Sequence, residues 1–460
     1  MDRDQEVLDK WSSNNPAVTA PATYVLSRSS AVQQNRSESS SLPTLRPSNS
    51  TTDKPRSEPA EQQSYQPPSK YDVGWRRVVR NFSPSWFSVT MGTGVVSILL
   101  IQIPFQAEWL YWLSVIFFGL NAILFALAFS ISVLRYTLYP EIWHVMIQDP
   151  TNSLFLGTIP MGFATLVTSW VFLCCPYWGE WATTFAWVCW MIDCVVAVAV
   201  TVSLPFLLMS QSHQQSLDRI TAAQLLPIAA TIVASGTGTG VANILPNPER
   251  ALGTVIACYV LWGMSTPLAM TILVIYYQRL ALHKIPPREI VVSSFLPLGP
   301  LGMGGYAIMR CGGVARKVFP QVEFFHNLEI AGDIVYILGV FVALIMWSFG
   351  LCWLVFALAS IYGSRPFPFN MGWWGFTFPL GVWSLSTIHF GTEMPSLFFR
   401  VLGTIGAVSV VLLWIIVAAG TARGAWRGHL FNAPCLKNLK PAEQKDVTEA
   451  AEAEKANGNG

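Results

Sequence analysis

The sequence predicts an all-α integral membrane protein of ten transmembrane helices, built as five helical-hairpin repeats. Five kinked inner helices would line a central pore and five outer helices would surround them. Three observations predict this. Of 460 residues, 52% are hydrophobic and only 12% charged, about half the roughly 25% charge of a soluble domain. Ten apolar stretches each approach the ~20 residues that a helical crossing needs. One short phrase also recurs in every second stretch: Thr90-Met91-Gly92, Pro160-Met161-Gly162, Ala234-Ser235-Gly236, Pro300-Leu301-Gly302 and Pro379-Leu380-Gly381. Its glycines fall roughly 70 residues apart, room for two ~20-residue crossings and their turns.

The elements follow in order. Residues 1–70 are rich in Ser, Pro, Gln and Asn; they bury too little apolar surface to offset ordering entropy, so a disordered tail is expected. The segment has no apolar h-region and does not read as a signal peptide. The membrane domain is placed at 71–430. Its odd spans, near 86–103, 153–175, 224–245, 290–309 and 371–390, carry small residues and proline. The candidate breaks are Gly92 and Gly94, Pro160 and Gly162, Pro227 and Gly236, Pro297, Pro300 and Gly302, then Pro379 and Gly381. A proline inside a helix lacks its donor and frees a carbonyl one turn earlier. The even spans, near 109–134, 181–209, 251–279, 329–360 and 397–421, have little proline and are apolar on all sides, as suits helices between lipid and protein. Residues 431–460 form a polar tail with an acidic, alanine-rich end, also expected to be disordered.

Orientation follows from the loop cations. One set of loops and both flanks carry Arg76, Arg77, Arg80, Arg135, Arg219, Arg279, Lys284, Arg288, Arg365, Arg423 and Arg427; the opposite set carries Arg250, Arg310, Arg316, Lys317 and Arg400. This excess places both termini in the cytosol. The acceptor triplets at Asn35, Asn49 and Asn81 then face the cytosol and stay unmodified. The 19 Trp and 27 Phe fit interfacial aromatic belts. Eight cysteines make no framework; an outer disulfide among Cys174, Cys175 and Cys311 is one reading, since spacing alone cannot pair them.

Composition and motifs exclude several classes. A net charge of +2 gives no electrostatic case for nucleic acid. No Cys/His set has zinc spacing. Gly236-Thr237-Gly238-Thr239-Gly240 lacks the Lys-Ser/Thr ending of a phosphate loop and follows no strand. No cofactor or metal is expected, and no clustered His/acid site suggests an enzyme. What remains is transport. Backbone freed by helix breaks is tolerated in a membrane only against protein or a water-filled path, and half-helix N-termini there attract anions. Asp193 and Asp333 read as buried acids, serving either proton coupling or a structural helix contact. Arg310, at the end of the seventh span, and His389 with Glu393, closing the ninth, are candidates for a pore mouth. Phe376 and Phe378, beside Pro379, are bulky rings next to a break.

Several longer motifs carry a resemblance. They are Asn81-Phe82-Ser83-Pro84-Ser85-Trp86-Phe87 with Met91-Gly92-Thr93-Gly94, then Phe155-Leu156-Gly157-Thr158-Ile159-Pro160-Met161-Gly162-Phe163. His283-Lys284-Ile285-Pro286-Pro287-Arg288-Glu289 and Phe295-Leu296-Pro297-Leu298-Gly299-Pro300-Leu301-Gly302 extend it. From about residue 75 to 430 the chain resembles the tellurite-resistance/dicarboxylate transporter family, most of all its fungal sulfite-exporting branch. The resemblance implies a plasma-membrane homotrimer in which each subunit has its own pore lined by the odd helices. It implies a phenylalanine plug on the ninth helix, carried to Phe378 first and Phe376 second. It implies sulfite or bisulfite as cargo, with a C4-dicarboxylate such as malate as the alternative.

Overall fold

A computed structural model describes residues 74–210, 217–322 and 330–431, with positions 433 and 436. The expected tails, the triplets at Asn35 and Asn49, and nearly all of 431–460 lie outside these residues. Every regular element among the described residues is helical. The long helices are α1 (Phe87–Gln102), α2 (Glu108–Leu138), α3 (Thr158–Leu173), α4 (Glu180–Ser210) and α5 (Leu225–Ile244). They continue as α6 (Pro248–His283), α7 (Leu298–Val318), α8 (Ala331–Gly363), α9 (Thr377–Glu393) and α10 (Leu397–Trp426). Nine of the described helical stretches are long and apolar enough to cross a membrane. The exception is α9, which is 17 residues long.

Local chemistry sets several helix ends. Asn247 caps α6 by accepting from the N–H groups of Glu249 and Arg250, with Pro248 at the first position, where a missing donor costs nothing. Asn370 likewise accepts from Gly372 at the entry to α9. Within the apolar helices, hydroxyls turn back on their own backbone, as Thr231 does to Ile228 and Thr387 to Trp383. These two buried hydroxyls are thereby satisfied without water.

Burial separates two kinds of helix. The membrane-length windows containing α1, α3, α5 and α7 are between 72% and 100% buried; those of α2, α4, α6, α8 and α10 are between 22% and 33% buried. The buried helices pack in cyclic order, α1 on α3, α3 on α5, α5 on α7, α7 on α9 and α9 back on α1. Each outer helix packs on the inner helix before it in sequence and also touches the next one in the ring.

A repeated hydrogen bond fixes that second contact. Indole N–H groups of Trp190 on α4, Trp262 on α6, Trp347 on α8 and Trp414 on α10 donate to Ala234, Gly304, Thr387 and Thr93, each on the next inner helix. On α2, Asn121 takes this place and donates to Thr165 of α3. These four tryptophans hold helices together inside the membrane domain rather than forming interfacial belts.

The structure corrects the expected mid-helix breaks. Pro160, Pro227, Pro300 and Pro379 are each the third residue of their α-helix. Each of the five inner helices follows directly or almost directly on a short 3₁₀ segment: Pro84–Trp86, Ser153–Gly157, Ala222–Gln224, Val291–Phe295 and Met371–Phe376. The first four N–H groups of a helix have no intrahelical acceptor, so proline there removes no bond and the helix runs on unbroken. In the fifth span the register is set by Pro227-Ile228-Ala229 rather than by Ala234-Ser235-Gly236. The glycines of the phrase act as packing seams. At Gly302 a Cβ would lie 2.6 Å from the Trp383 backbone of α9, so only glycine permits this approach between α7 and α9.

Candidate functional site

Because each hairpin returns the chain to its starting side, all five inner helices begin at the same end of the ring. A cavity of about 880 Å³ opens there. Its wall includes Ser88 and Met91 of α1, Met161 of α3, Leu225 and Ala229 of α5, Gly299 and Pro300 of α7, and Phe378 and Pro379 of α9. Five helix N-termini converge on one space, and the dipole of each helix presents about half a positive charge to it. The deeper wall is apolar, through Met91, Met161, Ala229, Pro300 and Phe378. The rim is polar, through Ser83, Ser85, Thr151, Asn152, Thr221, Ser293 and Asn370, with Asp218, Arg279, Glu289 and His429 beside them.

Phe378, the second residue of α9, is buried at this wall. Phe376 closes the 3₁₀ lead-in and packs instead against Phe295 and Trp373, at 5.0 and 5.7 Å between ring centroids. Of the two rings, Phe378 is the one on the cavity. Arg279 is buried at the C-terminal end of α6 and donates to the carbonyls of Lys284, at 2.7 Å, and Asp218. It ties the two loops on either side of the vestibule mouth together.

The voltage-dependent anion channel family model, SLAC1, matches residues 81–422. The chain belongs to the SLAC1 family. The motif resemblance read in the sequence leads to the same group of proteins. Among the relatives, a protein named sulfite efflux pump from Arthroderma benhamiae is 50% identical over 353 residues, covering 77% of this chain and 93% of that one. The sulfite efflux pump of Saccharomyces cerevisiae is 25% identical over 398 residues, 74% and 86% of the two chains. The malic acid transport protein of Schizosaccharomyces pombe is 24% identical over 350 residues, 74% and 77% of the two chains.

The remaining sequence candidates of this SLAC1-family protein lie away from the vestibule. Asp193 is buried on α4, with no hydrogen-bond partner among the described residues for either carboxyl oxygen. It lies on the face defined by Trp190 and Thr201, which donate to Ala234 and Pro227 of α5. It therefore belongs to an outer–inner seam. Asp333 was expected to be a buried acid. It is half-exposed in the first turn of α8 and pairs with Arg316 at 2.6 Å, because α8 begins at the surface with Asp333 in its first turn. Arg310 was expected to end its span, yet α7 continues to Val318. His389 and Glu393 do come together at the far end of α9, 3.3 Å apart. The hydroxyl of Tyr336 donates to Glu393 at 2.5 Å.

The cysteines described are all free. Cys311 is buried inside α7 while Cys174 and Cys175 sit at the end of α3, so the outer pairing that the spacing left open is not formed. Sequence reasoning missed the polar rim. Its residues come from five separate loops with no shared spacing, and only the closure of the ring brings them to one mouth.

Proposed function

We propose that this protein exports sulfite or bisulfite from the cytosol across the plasma membrane, through the lumen of the five inner helices. All ten long helices cross the bilayer, with both termini and the vestibule on the cytosolic side. The observation that carries this reading is the vestibule itself. Five helix N-termini face one polar-rimmed, apolar-floored space on the side where the loop cations are in excess. That combination draws a small anion in without binding it tightly. Phe378 is the plug at the vestibule floor, and the pore opens when its ring moves aside. A membrane potential negative inside drives an anion outward by about 2.3 kcal/mol per charge per 100 mV, so export needs no separate fuel. The protein acts as a homotrimer with one pore per subunit, as the family resemblance implies. Asp193 serves as a structural group of the α4–α5 seam. Asp193→Asn therefore keeps wild-type sulfite flux, and loss of flux in a folded variant would reassign it to coupling.

The deciding experiment is deletion of the gene with parallel sulfite-tolerance and malate-flux assays. Sulfite hypersensitivity reversed by the intact gene is the expected result. Normal sulfite tolerance with altered malate flux would replace the cargo by a dicarboxylate.

A further inference from the structure

Arg310 makes no hydrogen bond, ion pair or ring contact with any described residue, and its Nε is buried. An unpaired guanidinium on a pore helix is costly unless something completes it. Its placement says what that is. Arg310 lies eleven residues beyond Gly299 on α7, and His389 lies eleven residues beyond Phe378 on α9. Gly299 and Phe378 both line the vestibule. Eleven residues make three helical turns, so Arg310 and His389 lie on the same stripes as the vestibule wall, about 16 Å further along. Tyr306, one turn before Arg310, lies against Gly236 of α5 and packs on His389 of α9, 5.4 Å between ring centroids. Those helices are the two ring neighbours of α7, which puts this stripe on the inside. The opposite face of α7 is taken by Gly304 and Gly312 against α8.

On α9 here, His389 Nε2 has no hydrogen-bond partner among the described residues. The 3.3 Å approach of Nε2 to Glu393 lacks hydrogen-bond direction, and Glu393 is already held by Tyr336.

We propose that Arg310, with His389 facing it from α9, forms a second anion site in the lumen beyond the Phe378 floor, for a small oxyanion on its way out. The inference rests on the export reading for its direction. A guanidinium offers an oxyanion two parallel donors. Glu393, one turn nearer the exit, places a negative group where a departing anion must pass and keeps the site from becoming a trap.

The test uses the purified full-length protein in sided vesicles, with sulfite and nitrate flux measured separately from each face. Arg310→Gln raises the half-saturation concentration from the Arg310 face about threefold or more and leaves the vestibule face within about threefold. Arg310→Lys, which keeps the charge, shifts it less than Arg310→Gln does. No shift, or an equal shift on both faces, overturns the site. Should Arg310→Gln not fold, His389→Gln decides by the same asymmetry. The nitrate arm separates the two readings. Nitrate flux with the one-sided shift supports the site even where the wild type moves no sulfite, which would sink the export reading. Sulfite export without a one-sided shift sinks the site alone.

Discussion

Phe378 shows how much one side chain's position decides. Phe376 and Phe378 differ by two places in the chain, and both are aromatic neighbours of Pro379. One packs into an aromatic cluster with Phe295 and Trp373; the other stands at the cavity wall. Phe378→Ala is expected to raise anion flux in liposomes, whereas Phe376→Ala lowers thermal stability without opening the pore. Unchanged flux in a well-folded Phe378→Ala protein would remove the plug. Lys284 gives a second residue-scale prediction. It ends α6 at φ 63° and ψ −167°, a region that essentially only glycine occupies without strain. The bond from Arg279 to its carbonyl helps hold it there. Lys284→Gly relieves about 1 kcal/mol of strain and raises the thermal midpoint in detergent. A lowered midpoint would show that the lysine side chain contributes more than its backbone costs.

At the scale of the element, the prolines mark where inner helices begin. The chain enters each by a short 3₁₀ segment, and the α-helix then runs unbroken. Pro227→Ala on α5 is therefore expected to cost less than about 1 kcal/mol, far below the ~3 kcal/mol of a mid-helix proline rearrangement. A large change in thermal midpoint or flux would restore the idea of a working kink. The outer helices carry their own repeat. Asn121, Trp190, Trp262, Trp347 and Trp414 each donate to the next inner helix in the ring. Their spacing runs near the period of the glycine phrase, apart from a longer step between Trp262 and Trp347, and was open to inspection in the sequence. It was missed because tryptophans in an apolar chain read first as interfacial belts.

At the scale of the molecule, ring closure converts five scattered loop segments into one vestibule. Orientation is the property to test here. Cys175 lies at the end of the ring opposite the vestibule and is half-buried. Burial pushes its thiol above the ordinary value. The reactive thiolate is thus scarce at neutral pH and grows as pH rises. A membrane-impermeant maleimide added outside intact cells should label Cys175 slowly near pH 7 and faster at higher pH, with Cys175→Ser as control. Labelling only after permeabilisation would invert the topology.

Membrane class, the alternation of inner and outer helices, and membership of the family were legible along the chain. Each of these depends on hydropathy and short-range spacing, which survive as a linear string. Which atoms meet followed only from the packing of the helices. The depth of Asp333 depended on where α8 begins, and the choice between two phenylalanines on how α9 is entered. The vestibule rim and the unpaired Arg310 depended on the closing of a ring. These are contacts between residues far apart in the chain, and no local pattern encodes them.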